Sequence, residues 1–414
     1  MSTATNPPAE SFRLSQLIYD TRYRSITIQV VAFALIIAGL FFLGTNIVRN
    51  LSELGKDFNF SFLSSRAGYD INQRLIEYSN DSTHGRAALV GILNTLLVAF
   101  LGCILATILG VIAGVLRLSK NWIVGRLMTV YVEGFRNIPL LLWIILIFAV
   151  MTEATPQPRD FRGDEPEASM IVFDSVAVTN RGIYIPSVQF NNVIGGAESG
   201  SLMNWLVIIA LVIGSIVAIR KINASATAKQ EATGVRPTTW YINLGVFFVP
   251  LIAALILMGA HLNYPELRGF NFAGGTHLRN SLIALWFALS LYTGAFIAEI
   301  VRAGIMAVSK GQTEAAFALG LRPNRTMNLV ILPQAMRVII PPLISQYLNL
   351  TKNSSLAIAV GYMDVRSTLG GITINQTGRE LEGMLLLGLF YLVTSLVISG
   401  AMNIYNNSVK LKER

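Results

Sequence analysis

The chain has 414 residues, 53% of them hydrophobic and 13% charged, with a formal net charge of +9. A soluble domain carries about 25% charged residues, so the composition excludes a string of ordinary soluble domains. The basic balance does not point to nucleic acid, because Lys and Arg lie between apolar runs and form no patch interleaved with aromatics.

A bilayer core about 30 Å thick needs about 20 apolar residues in a helix. Eight runs meet that test, at 25–48, 88–116, 123–151, 203–219, 239–261, 280–302, 327–349 and 383–406. The first, Ile26 to Val48, is longer than the roughly 7–15 residues of a signal-peptide core and no small-residue cleavage site follows it, so it reads as a retained anchor. The second contains Cys103, a small apolar side chain with no partner for a disulfide. It also carries Gly102, Ala106, Gly110 and Gly114 at four-residue spacing, a stripe that lets helix backbones approach closely. That stripe serves packing within this chain or contact with a partner. The fourth run is short, and the seventh holds Pro333, Pro341 and Pro342 and is expected to be kinked or broken.

Between the third and fourth runs, 152–202 is polar and carries Pro156, Pro158, Gly195 and Gly196. It reads as an external loop with short strands around Ser169–Val178. The segment 220–238 reads as a plain solvated loop. Placing the N-terminus in the cytoplasm gives 17 Lys and Arg in 86 cytoplasmic residues, against 12 in 141 on the other side. This is the expected sign of the charge asymmetry, and it puts both termini in the cytoplasm.

The stretch Gly311 to Met336, GQTEAAFALGLRPNRTMNLVILPQAM, lies in one of those cytoplasmic loops. Ser309 and Gln312 have capping-box spacing, with Thr313 as a rival cap. Glu314 in the first turn suits the helix dipole. Ala315, Ala318 and Leu319 share a face. Gly320 is placed to end the helix in a left-handed conformation, and Pro323 lets a second helix begin. The expected product is a short helix, a sharp turn and a second helix leading into the membrane.

This loop resembles the signature loop of ABC-importer permeases, reading Glu314-Ala315-Ala316, Gly320 and then Ile331-Leu332-Pro333. Tyr292–Ile305, Tyr131–Ile144, Leu350–Val365 and Gly91–Phe100 resemble the polar-amino-acid branch of that family. The likeness covers about 86–151 and 280–408. Short members have five core spans. This chain adds one N-terminal span and an insert over about 152–278 with two more, as in long members for general L-amino-acid or glutamate/glutamine/aspartate/asparagine uptake.

The resemblance implies an all-α polytopic membrane protein with an ABC-importer permease fold of about eight transmembrane helices, in the bacterial inner membrane. Its parts would be an N-terminal tail, anchor and periplasmic segment (1–85), the first part of the core (86–151), the insert (152–278) and the second part of the core (279–414). It implies a permease subunit that takes amino acids from a periplasmic binding protein, with separate ATPase subunits and a second permease, expected to be a different chain. Glu314, Ala315, Ala316, Gly320 and Pro333 would form the ATPase-docking loop. No phosphate-binding loop is present, since Gly55-Lys56 is followed by Asp57 and no Gly stands five residues earlier. No catalytic residue, cofactor or metal is expected, and His84, His261 and His277 lack ligand spacing.

Two spans carry Glu-x-x-Arg: Glu133 with Arg136, and Glu299 with Arg302. Each pair lies three apart on one helix face. Charges within spans face an interior or a cavity, so these four are candidates for the translocation path or a cytoplasmic gate, or they form structural ion pairs. The alternative to an ABC permease is a secondary amino-acid transporter, which would show internal repeats that this sequence lacks. An intramembrane enzyme would need a Ser/His pair, a His-Glu-x-x-His motif or paired aspartates, and none is present.

Overall fold

A computed structural model describes residues 16–53, 55, 57–163, 165–195 and 201–409. Most of the N-terminal tail, Gly196 and the last five residues fall outside that set. After the short α1 (Gln16–Tyr19) comes α2 (Thr21–Glu53), whose large apolar side chains are almost all exposed. The helix offers that apolar surface to lipid. Among the described residues, eight helices are long and apolar enough to cross a membrane.

The core is built on α3 (His84–Leu116) and α8 (Asn280–Met306). Thr83 caps α3, its hydroxyl accepting from the Arg86 N–H at 3.2 Å. Gly102, Ala106, Gly110 and Gly114 are all buried. A Cβ at Gly110 would lie 2.5 Å from Ile297, and one at Gly114 would lie 2.6 Å from the Ala298 carbonyl. The small-residue stripe therefore seats α8 against α3 inside this one chain. Gly102 receives Leu350 instead.

The expected third span is two helices, α4 (Trp122–Asn137) and α5 (Leu140–Glu153). Pro139 has no N–H to donate, and it holds Ile138 extended at φ −105° and ψ 135°. The insert supplies α6 (Leu202–Thr233) and α7 (Trp240–Leu257), which pack on one another. Far from being short, α6 has 32 residues. It runs through most of the expected 220–238 loop and stops at Gly234, φ +74°. The polar half of α6 is rich in Ala, Lys, Gln and Glu, which are good helix formers without apolar periodicity.

Seven short antiparallel strands form a module beside this hairpin. They are β1 (Ala177–Thr179), β2 (Gly182–Ile185), β3 (Ser187–Phe190), β4 (Ala260–Asn263), β5 (Glu266–Arg268), β6 (Asn271–Ala273) and β7 (Thr276–Arg279). One sheet has the order β1-β2-β7, with Tyr184 opposite His277, and β3-β4 and β5-β6 pair separately. Strands therefore begin at Ala177, and the expected region near 169–178 holds mainly the isolated Ile171–Val176 bridge. Ala177, Tyr184 and Phe272 form a small core that ties the segment before α6 to the segment before α8.

After α8 come α9 (Lys310–Ala318), α10 (Pro323–Thr326), a π turn at Met327–Ile331 and α11 (Leu332–Asn353). Pro333 sits in the first turn of α11, and Pro341 and Pro342 lie inside it without ending it. The seventh span is instead irregular on both sides of α11. A 3-10 segment follows at Ser354–Val360, then α12 (Val365–Ser367), a π turn at Thr368–Thr373, α13 (Ile374–Thr377) and α14 (Glu380–Val409). Such backbone is tolerated at membrane depth only where protein or water covers it. Here Val365 N–H donates to Thr95 Oγ1 at 3.0 Å, which anchors the segment to α3.

Candidate functional site

Two groups of residues are brought together where α8 ends. The first is the α9–α10 loop. Ser309 caps α9 by accepting from the Gly311 N–H at 3.2 Å. The capping box does not form, because Gln312 turns the other way. Its Oε1 accepts from Gln334 Nε2 at 3.2 Å and ties α9 to the first turn of α11. Gly320, φ +74°, donates to the Phe317 carbonyl at 2.9 Å, and Leu321 donates to the Ala316 carbonyl at 3.1 Å. These two bonds close the helix in a Schellman motif. Ala316 is 3% exposed and faces its own chain. Glu314, Ala315, Ala318 and Leu319 face outward, with Leu319 81% exposed. Pro333 is also exposed. Of the five expected docking residues, Ala316 thus fastens the loop, and the others are open to a partner or shape the turn.

The second group is a charged cluster. Glu299 accepts from Arg302 at 2.6 Å, the expected pair within α8. Glu133 and Arg136 do not pair with each other. They stand at the end of the 16-residue α4, before the Pro139 break, and not inside a long span. Glu133 lies 3.7 Å from Arg117, and Arg117 binds the second Glu299 oxygen at 2.6 Å. Arg136 lies over the Phe296 ring at 5.2 Å, a cation–π contact, with its buried Nε unpaired. Arg117, at the end of α3, therefore joins three helices through two carboxylates. It was missed in the sequence because its partners lie on other helices. Its signal was its place at the end of a span, across a short turn from α4.

Among the described residues, no group of three or more His, Cys, Asp and Glu could hold a metal ion. The architecture is that of a multi-pass membrane protein with an exposed helix-turn-helix loop beside a bundle of spans. Residues 106–411 match the family of binding-protein-dependent transport system inner membrane components, and the chain belongs to that family. It is 61% identical to the glutamate/glutamine/aspartate/asparagine transport system permease protein BztB of Rhodobacter capsulatus, over the full length of both chains. It is 42% identical to the general L-amino acid transport system permease protein AapQ of Rhizobium johnstonii, over 98% of this chain and 96% of that one. The chain is also 42% identical to the protein named "Putative amino-acid ABC transporter permease protein YhdX" of Escherichia coli, over 94% of this chain and 95% of that one.

Proposed function

We propose that the chain is the permease subunit of an ATP-driven importer of polar L-amino acids, with glutamate, glutamine, aspartate and asparagine as its substrates. The observation that carries this reading is the α9–α10 loop, rigidly closed at Gly320, fastened through Ala316 and Gln312, and open along Glu314, Ala315, Ala318 and Leu319. A helix held this way presents a fixed shape to an ATPase subunit. The full-length likeness to a permease named for those four amino acids supports the substrate range.

In this reading the N- and C-termini and the α9–α10 loop are cytoplasmic, while the β module faces the periplasm and a substrate-binding protein. The chain divides into the N-terminal anchor region (1–85), a core in two parts (86–151 and 279–414) and an insert (152–278). A second permease chain, different from this one, completes the passage. Glu314, Ala315, Ala316, Gly320 and Pro333 build the docking loop. Glu133, Glu299 and Arg302, joined by Arg117, with Arg136 beside them on the Phe296 ring, form a latch at the cytoplasmic mouth of the passage. Ion pairs bridging three helices suit a part that fixes helix register and must be re-made when helices move.

Uptake of the four labelled amino acids, in a strain deleted for this chain and complemented with it, tests the reading. Uptake is expected to need the chain, ATP and the binding protein together. Uptake that persists when the ATPase subunits cannot hydrolyse ATP, or that follows an ion gradient, overturns it.

A further inference from the structure

The bend between α6 and α7 does not end at the membrane surface. The apolar part of α6, Leu202–Ile219, rises about 27 Å, enough for the bilayer core. Arg220–Thr233 then carries the same helix about 21 Å further. The headgroup layer is only about 5–8 Å deep on each side, so the tip stands clear of lipid. The chain returns through 235–239 to α7, and the base of this elbow is pinned. Thr239 Oγ1 and Asn243 Nδ2 both donate to Asn223 Oδ1, at 3.3 and 3.1 Å. From Thr227 to Thr238 every residue is exposed. Among the described residues, nothing offers a hydrogen bond or an ion pair to the side chains of Lys229, Glu231 or Arg236.

The strand pairings set the side on which the elbow stands. β3, just before α6, pairs with β4, just after α7. β2 pairs with β7, which leads directly into α8, and only Pro186 separates β2 from β3. The first residues of α6 and α8 therefore lie on one side, with the β module. The elbow and the α9–α10 loop lie on the other. The two tips also end alike. Gly234-Val235-Arg236-Pro237 follows α6, and Gly320-Leu321-Arg322-Pro323 follows α9. Both glycines have φ +74°. Gly234 donates to the Gln230 carbonyl at 2.8 Å, a single-bond closure where α9 has two. The arginine and the proline are exposed in both. A left-handed glycine turns the chain sharply, and the proline restricts the arginine before it to extended backbone. Each tip thus holds an exposed arginine on stiff backbone just past a helix end.

We propose that the α6–α7 elbow is a second docking point for the ATPase subunit, with Val235 and Arg236 as its contacting side chains. The inference rests on the importer reading given above, in which the α9–α10 loop is the first docking point. A soluble subunit seated on that loop occupies the space just beyond the membrane on this side, and the elbow projects into the same space. Val235 is 72% exposed, an apolar side chain that a protein surface can cover. Arg236 is a fixed, unpaired cation suited to carboxylate or carbonyl oxygens on that surface. Two contacts on one subunit act together, because the second is made at high effective concentration once the first exists.

The test uses the complete complex, with its ATPase and binding-protein partners, in membranes. The photo-cross-linker p-benzoylphenylalanine at position 235 is expected to join the chain to the ATPase subunit on illumination, as the same probe at position 319 of the α9–α10 loop does. At position 392, on the exposed apolar face of α14, it is expected to give no ATPase product. Arg236→Glu and Gly234→Val are each expected to lower the amount of ATPase subunit retained on the purified chain by about threefold or more. Gly234→Asn, which accepts left-handed backbone, is expected to retain more than Gly234→Val. A product at 235 with lipid, with a second permease chain or with another copy of this chain, and none with the ATPase, overturns the proposal. Full ATPase retention in Arg236→Glu overturns the assignment of that side chain. A product at 319 with none at 235 removes the elbow alone and leaves the importer reading standing. Absence of an ATPase product at 319 brings down the importer reading, and the elbow proposal with it.

Discussion

The helix pair α3–α8 and the hairpin α6–α7 cross the same thickness of membrane by different means. The first pair is joined through glycines so close that a single added carbon would collide with the partner, as at Gly110 and Gly114. In the second pair, Gly214 and Gly245 meet nothing within 4 Å, and α7 has no buried residue. Apolar composition is alike in both and cannot distinguish them, since lipid tails are as apolar as leucine. What distinguishes them is residue size along the contact face. The core is held by backbone proximity, whereas the inserted hairpin is held by polar contacts such as Ser215 Oγ donating to the Val246 carbonyl at 3.0 Å and by its packing on the β module through Phe190, Ile208 and Met258.

The sharpest way to break that contrast is to put the same side chain into both pairs. Gly110→Leu is expected to cost at least about 3 kcal/mol through overpacking, read as loss of assembled complex and a lower melting temperature in detergent. Gly245→Leu is expected to change either quantity by less than about 0.5 kcal/mol. Equal effects at the two positions would remove the distinction.

Next in size is the charged cluster on the core side. Arg117→Gln leaves Glu299 with one partner in place of two and Glu133 with none from α3. Since Arg117 is only 11% exposed, a loss of about 1–3 kcal/mol is expected. Charge reversal of the exposed pair Arg268–Glu266 in the β module is expected to cost less than about 1 kcal/mol. Thermal stability of the purified variants reads both.

In the α9–α10 loop, Gly320→Val forces a β-branched residue into φ +74° where no neighbouring atom obstructs it. The cost is backbone strain alone, about 1–2 kcal/mol. The expected outcome is normal abundance with weakened ATPase association and reduced uptake. Normal uptake with normal abundance would separate this loop from coupling.

The smallest effect is expected in the β module and depends on pH. Burial lowers the His277 pKa below the usual histidine value, although its ring also bonds the Arg181 carbonyl at 3.0 Å and stacks on Tyr184. A depressed folded-state pKa means that the unfolded state binds the proton more readily. The contribution is present above about pH 6.5 and is lost as pH falls through the lower folded value. Amide exchange in β2 and β7 is therefore expected to quicken on mild acidification, and His277→Gln is expected to abolish that dependence.

The same contrast explains what the sequence could announce. All eight spans were legible because about twenty apolar residues in a row have few other uses. The turn at Gly320 was legible because left-handed backbone favours one residue type. The break at Pro139 was hidden by strong apolar residues on both sides, which read as one continuous span. The polar C-terminal half of α6 was hidden because its helix rests on propensity, without an apolar face. Arg117 and the pairing of Tyr184 with His277 were hidden because they join residues far apart in sequence. The Glu-x-x-Arg spacing suggested two local pairs, and only Glu299–Arg302 is made, since Arg117 lies nearer to Glu133 than Arg136 does.

The β2–β7 pairing has a consequence for biosynthesis. Its two strands lie on either side of α6 and α7 in the chain, so β2 leaves the ribosome well before β7 exists. Until translation passes Arg279, the hairpin enters the bilayer with the sheet unclosed. The nascent chain must therefore hold an exposed strand edge while two helices are inserted. The sheet closes just as α8, the helix on which the core is built, begins to emerge.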